Sequence, residues 1–257
     1  MNKDLITICY LYSRSMSIYG DKGNVICLQR RAEWRNKEVK IIEYNIGDKN
    51  IDWHDVDIFF FGGGQDLQQE AVADDLQKVG SKIIEQVVKN KAAVLAICGG
   101  LQLLAKYYET IDGKKIDGIG LFEAYTVGGK RRFIGNVAIE TELLGEKRII
   151  VGFENHSGRT YADWQKVSPL GNVLVGGGNN GEDQTEGIVY LNAVGSYLHG
   201  SLLPKNPWLA DWLLLRGLER RYEKYVLNDL DDQVELHANQ AARELALKSG
   251  KVENITS

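Results

Sequence analysis

The chain opens on an apolar run, Leu5 to Tyr12 (LITICYLY), rich in β-forming residues, which predicts a buried strand. A polar loop, Ser13 to Asn24, follows. From Val25 the stretch VICLQRRAEWR has helical periodicity and gathers positive charge on one face. Val39 to Tyr44 and Val56 to Phe61 (VDIFFF) predict two further strands, the second halting at Gly62-Gly63-Gly64. Apolar positions recur at helical spacing from about Gln68 to Asn90. Ala92 to Ile97 is another buried strand, ended by Cys98-Gly99-Gly100, and LQLLAKYYE after it predicts a helix. Past Gly118 the runs shorten: Phe133 to Thr141 and Ile149 to Phe153 read as strands among glycine-rich turns such as Gly176 to Gly181, and Ala193 to Leu198 as one more. From Pro207 the chain is helical, first WLADWLLLRGLERRYEKY, apolar on one side, then the more polar DLDDQVELHANQAARELALK; the residues after Lys248 read as a frayed tail. Strand–helix alternation predicts an α/β fold, a mostly parallel sheet with helices on both faces. The expected division is one α/β domain over 1–204, with C-terminal helices over 205–257 packed on it.

The 257 residues, 44% hydrophobic and 26% charged, suffice for such a core. A net charge of −4 gives no footprint for nucleic acid. No long uninterrupted apolar run marks an integral membrane protein. Three unpaired-looking cysteines and a first strand flanked by Asp4 and Arg14, unlike a signal peptide, point to the cytoplasm.

Of the cysteines, Cys98 has a context that changes the picture. A buried strand ends at Ile97 and a helix starts about two residues later, with small residues, Ala96 and Gly100, two positions to either side. A sharp nucleophile elbow requires that arrangement. The sulfur then sits at a helix N-terminus, where free N–H groups favour a thiolate, and the Gly99 N–H is placed to donate to an oxyanion. Cys9 and Cys27 lie in apolar runs and read as core residues. A thiol nucleophile needs a base. His199, in Gly-Ser-Tyr-Leu-His-Gly after a predicted strand, is the first candidate, and His156, in a glycine-bounded loop, the second. His54 and His237 read as surface residues. No histidine pair or cysteine pair has metal-ligand spacing, so no metal site is expected.

The segments Ala-Ile-Cys-Gly-Gly-Leu-Gln, Gly-Phe-Glu-Asn-His-Ser-Gly-Arg-Thr and Tyr-Leu-His-Gly together resemble the class I glutamine amidotransferases, in the branch typified by cobyric acid synthase. Phe61-Gly-Gly-Gly-Gln-Asp66, Ile18-Tyr-Gly-Asp-Lys-Gly-Asn24 and Arg132 narrow the resemblance to the glutaminase subunits of lipid II isoglutaminyl synthases. It spans nearly the whole chain. It implies a flavodoxin-like class I amidotransferase architecture with L-glutamine as substrate. Cys98 would form a glutamyl thioester and release ammonia, with His199 as base. N–H groups of Gly99 and of the Gly62–Gly64 loop, through Gly63 and Gly64, would form the oxyanion hole. Arg132 would bind the α-carboxylate of glutamine, with neighbouring Arg131 as the alternative; Gln102 and the Asn155-His156 loop would line the pocket.

One position departs from the wider family, which often carries a glutamate two residues after the histidine; here it is Ser201. The group that orients His199 is left open, either absent or borrowed from elsewhere in the chain or from a partner, and weak glutaminase activity is expected of the isolated chain. There is no G-x-x-x-x-G-K-[ST] segment, so ATP and Mg are expected on a second subunit and no cofactor in this chain. By resemblance that subunit is a Mur-ligase-like protein forming a heterodimer, and it holds the lipid-linked acceptor. A cobyrinate-type acceptor, or a non-catalytic scaffold, are the alternatives. Stress proteins and γ-glutamyl hydrolases share the elbow but not the Tyr-Leu-His-Gly and Glu-Asn-His-Ser-Gly-Arg motifs.

Overall fold

The computed structural model describes residues 4–18 and 20–253. Its centre is a six-stranded sheet. In spatial order its strands are β11 (Ile188–Tyr190), β12 (Ala193–Ser196), β4 (Ala93–Ile97), β3 (Ile58–Phe61), β1 (Leu5–Leu11) and β2 (Glu38–Tyr44). The five from β12 to β2 run parallel, and β11 pairs antiparallel at the edge. The inner strands IFFF and AVLAI are buried at every position, as strands covered on both faces must be.

Helices supply the cover. α1 (Lys22–Trp34) follows β1 and α2 (Asp66–Val88) follows β3; α2 buries Val72, Leu76, Val79, Ile83 and Val87, a single stripe at helical spacing. α4 (Pro207–Tyr222) lies close on the sheet at Gly217, where a Cβ would stand 2.9 Å from Ile58. Asn206, fully buried, holds the entry to α4: its side chain donates to the carbonyls of Val151 and Leu202 and accepts from the Val151 N–H.

A second sheet begins after the short α3 (Gly99–Leu104). Its order is β10 (Thr185–Glu186), β9 (Gly171–Val175), β7 (Ala124–Thr141), β5 (Tyr107–Glu109) and β6 (Lys115–Asp117), with β8 (Arg148–Ala162) also on β7. Its pairs are antiparallel except β5–β7. α5 (Gln233–Glu253) lies against it, with buried Ala246 in a small cluster with Ala138 and Val151.

Three expectations are revised. LQLLAKYYE is not one helix: α3 stops at Leu104, and Tyr107 to Glu109, two aromatics at its head, pair into the second sheet. His156 is inside strand β8, opposite Phe133, and not in a loop. Within the basic cluster on α1, Arg31 is 1% exposed and forks onto Asp211 of α4 and Asp232 at 2.6–3.0 Å. Finally, α5 continues through Glu253, past the expected fraying point; 254–257 of the predicted tail lie outside the described residues, as does Tyr19 of the early loop.

Candidate active site

The carboxyl ends of β1, β3, β4 and β12 point to one edge of the central sheet, where an open parallel sheet gathers its ligand. Cys98 follows β4 there. Its backbone is at φ 50°, ψ −106°, a positive-φ conformation that costs a non-glycine residue strain and is held by the sheet and helix on either side. Its N–H donates to the Ser196 carbonyl at 2.8 Å, and its carbonyl accepts the Gln102 N–H at 3.0 Å. The flanking glycines are sterically required. A Cβ on Gly100 would stand 2.5 Å from the Phe61 carbonyl oxygen, and one on Gly99 would stand 2.9 Å from both N and O of Gly64.

His199 follows β12 and is 1% exposed. Its backbone is paired with Phe153 of β8, which ties the base to the second sheet. Its Nδ1–H donates to Asp21 Oδ1 at 3.2 Å, so the carboxylate fixes the ring and leaves Nε2 toward Cys98. Burial alone would keep this imidazole neutral. The charge of Cys98 and hydrogen bonds to Asp21 and Cys98 outweigh that penalty and carry its pKa up to about 10.

Asp21 is the orienting acid that the spacing around His199 leaves unassigned. It is fully buried at the head of α1, and its second oxygen accepts the Gly63 N–H at 2.7 Å. Ser201, at the position of the expected glutamate, does something else. Its hydroxyl donates to the Gly20 carbonyl at 2.8 Å and holds the turn that presents Asp21. The polar stretch from Ile18 to Asn24 contains Asp21, yet nothing local ties it to a histidine 178 positions away.

The cleft in front of Cys98 encloses about 290 Å³ and is lined by Gly64, Asp66, Gln102, Tyr108, Arg132, Asn155 and His156, among others. Arg132 reaches it and Arg131 is not in its lining. The Arg132 guanidinium is set by Asn155, with Nε on Oδ1 at 2.6 Å and Nη2 on the backbone carbonyl at 2.8 Å. Gln102 is locked between Gln69 (2.8 Å) and the Tyr197 hydroxyl (3.1 Å). Gly63 departs from expectation: its N–H is committed to Asp21 at 2.7 Å and is not free for an oxyanion.

His156 is buried and stacked on Tyr197 at 3.8 Å. Its Nδ1–H donates to the Gly158 carbonyl, and burial holds the ring below its ordinary pKa. It forms a neutral wall of the cleft and is not joined to Cys98. Beside it the Gly177 and Gly178 N–H groups cradle Glu154 at 2.9–3.2 Å, which accounts for the glycine run. Under β12 a second buried carboxyl, Glu186, accepts the Tyr197 N–H at 2.6 Å and the Ser196 hydroxyl at 3.2 Å; burial raises it to about 7 despite those donors. His54 and His237 are exposed and far from this constellation in the fold, on the turn before β3 and on α5. Burial pushes the thiols of Cys9 and Cys27 up, the latter to about 12, which leaves them inert beside Cys98.

The model of the CobB/CobQ-like glutamine amidotransferase domain matches residues 7–207. The chain is 39% identical over 246 residues to subunit GatD of the lipid II isoglutaminyl synthase (glutamine-hydrolyzing) of Staphylococcus aureus, covering 96% of this chain and 98% of that protein. It is 42% identical to the same subunit of Streptococcus pneumoniae over 84% of this chain and 82% of that protein. A probable cobyric acid synthase of Methanocaldococcus jannaschii is 31% identical over 62% of this chain but only 34% of its own length. Among solved structures, a glutamine amidotransferase from Thermotoga maritima superposes with a TM-score of 0.54 at 16% identity, over 93% of this chain and 94% of that one. The glutaminase domain of Trypanosoma brucei CTPS with bound acivicin does so at 0.54 and 8% identity, over 87% and 96%. Those two likenesses are of fold. Elbow, buried base, family model and full-length relatives agree, and the chain belongs to the CobB/CobQ-like glutamine amidotransferase family.

Proposed function

We propose that the chain is the glutamine-hydrolysing subunit of an ATP-dependent lipid II isoglutaminyl synthase. The observation that carries the chemistry is the buried Cys98–His199–Asp21 relay, whose Cys98 lines a cleft that also contains Arg132. The Cys98 thiolate attacks the side-chain amide carbon of L-glutamine. The oxygen's developing charge meets the N–H groups of Gly99 and Gly64. The His199 imidazolium gives its proton to the departing nitrogen and ammonia leaves, with a glutamyl thioester on Cys98. His199 then takes a proton from water, which attacks the thioester and releases glutamate. Asp21 holds the tautomer throughout, and Arg132 grips the α-carboxylate of the substrate.

Relative lengths support the choice of acceptor. The chain spans most or nearly all of two GatD subunits but about a third of the cobyric acid synthase. Ammonia made here passes to a Mur-ligase-like partner that carries ATP and Mg and activates the D-glutamate α-carboxylate of lipid II, giving D-isoglutamine. The heterodimer works in the cytoplasm, with the lipid-linked substrate held by the partner. Among the described residues no helix is long and apolar enough to cross a membrane.

The test supplies the reconstituted pair with lipid II, ATP, Mg and either L-glutamine or ammonium. Cys98→Ala abolishes the glutamine-dependent amidation and preserves the ammonium-dependent one. Amidation from glutamine that survives Cys98→Ala overturns the reading.

A further inference from the structure

L-Glutamine at neutral pH is a zwitterion, and Arg132 answers only one of its two charges. Asp66 is the one carboxylate among the described residues lining the cleft. It is the first residue of α2, directly after the Gly62–Gly64 loop and Gln65. Two features fix it there. The Gln65 and Gln68 side chains cap α2 reciprocally, which sets the first turn, and the Tyr108 hydroxyl, from β5 across the cleft, donates to Asp66 Oδ1 at 3.1 Å. One oxygen is thus positioned by the wall of the cleft, on a residue that is exposed as a whole. The N-terminus of α2 is a favourable place for a negative charge. Resting on the glutaminase reading, we infer that Asp66 is the specificity-determining residue that binds the α-ammonium of glutamine, paired with Arg132 on the α-carboxylate.

A carboxylate–ammonium contact at a partly screened site is worth roughly 10- to 100-fold in binding. Its effect is specific to substrates that carry the ammonium. The discriminating probe is glutaramate (4-carbamoylbutyrate), which has the carboxylate and the carboxamide but hydrogen in place of the amino group. Wild-type complex and Asp66→Asn are assayed for ammonia release from L-glutamine and from glutaramate, with glutaramate also measured as a competitive inhibitor. Wild type prefers L-glutamine strongly. Asp66→Asn raises KM for L-glutamine roughly 10- to 100-fold with kcat little changed, and leaves KM or Ki for glutaramate within about twofold. Asp66→Glu recovers part of the loss for L-glutamine. An equal loss on both compounds makes Asp66 a structural residue and overturns the inference, as does an Asp66→Asn enzyme that keeps the wild-type preference. Wild type that releases no ammonia from L-glutamine overturns the glutaminase reading along with it; normal wild-type hydrolysis with an indifferent Asp66→Asn overturns this inference alone.

Discussion

Asp21 makes two contacts that belong to different functions: one oxygen aims the His199 ring and the other pins the Gly63 peptide. Asp21→Asn keeps the shape but removes the charge, and the amide presents either an acceptor or a donor to the imidazole. The expected loss in kcat is roughly 10²- to 10⁴-fold, the range for an orienting acid in such relays, read as ammonia release under saturating glutamine. The pH dependence has a definite sign. The folded pKa of His199 is raised to about 10, so its charged form stabilises the fold fully below the ordinary histidine value and that contribution is lost as pH rises through about 10. Removing Asp21's charge lowers that upper limit, and both the alkaline edge of activity and the alkaline edge of stability move to lower pH. An unchanged edge would show that the Asp21 charge does not help to hold His199 protonated. Cys98 and His199 are legible in the sequence because each carries its signal in its immediate neighbours: a strand, an elbow of small residues, a glycine after the histidine. Asp21 carries none, since an acid supplied from another strand end leaves no spacing to read. Gly63 reads as an oxyanion donor for the same reason, because the contact that consumes its N–H comes from far along the chain.

At the scale of elements, the elbow is where local sequence and packing constrain each other most tightly. The strain at Cys98 persists because Gly99 and Gly100 let β4, α3 and the Gly62–Gly64 loop touch backbone to backbone. Gly100→Ala puts a methyl group 2.5 Å from the Phe61 carbonyl, which does not yield. The expected cost is about 2 kcal/mol, within the range for overpacking a close-packed site, with glutaminase activity falling by more than that loss of stability would explain. Denaturant midpoints and kcat measured on the same samples separate the two effects, and a variant with full stability and full activity would refute the steric argument. Periodicity places each parallel strand of the central sheet to within about two residues of its observed ends. On the second sheet it finds only the last half of β7 and the start of β8, because both alternate exposure over long, glycine-interrupted runs, and it misses β5, where Tyr107 and Tyr108 continue a helix-like pattern into a strand. Tertiary pairing overrides local propensity there.

The whole molecule is fastened by charges that no local pattern predicts. Arg31 joins α1 to α4 through Asp211 and to the start of α5 through Asp232, and Arg35 adds a second contact to Asp211 at 2.7 Å. Removing Arg31 takes that partner from Asp232 and leaves Asp211 with Arg35 alone. Arg31→Ala is expected to cost roughly 2–4 kcal/mol, less than a fully buried pair because Asp211 and Asp232 keep some solvent. Chemical denaturation measures it, and an unchanged midpoint would mean that the cluster is dispensable. Since Asp21 heads the helix that Arg31 anchors, some loss of kcat should accompany the loss of stability.

The order of the relay residues along the chain, Asp21, Cys98, His199, spreads them over separate strand ends of the central sheet. A newly made or refolding chain can complete β1, β3 and β4 with their helices and still have no competent thiol, because the base arrives only when β12 pairs with β4. Recovery of turnover during refolding therefore reports the pairing of β12 with β4. A half-folded chain would be silent and would release no ammonia.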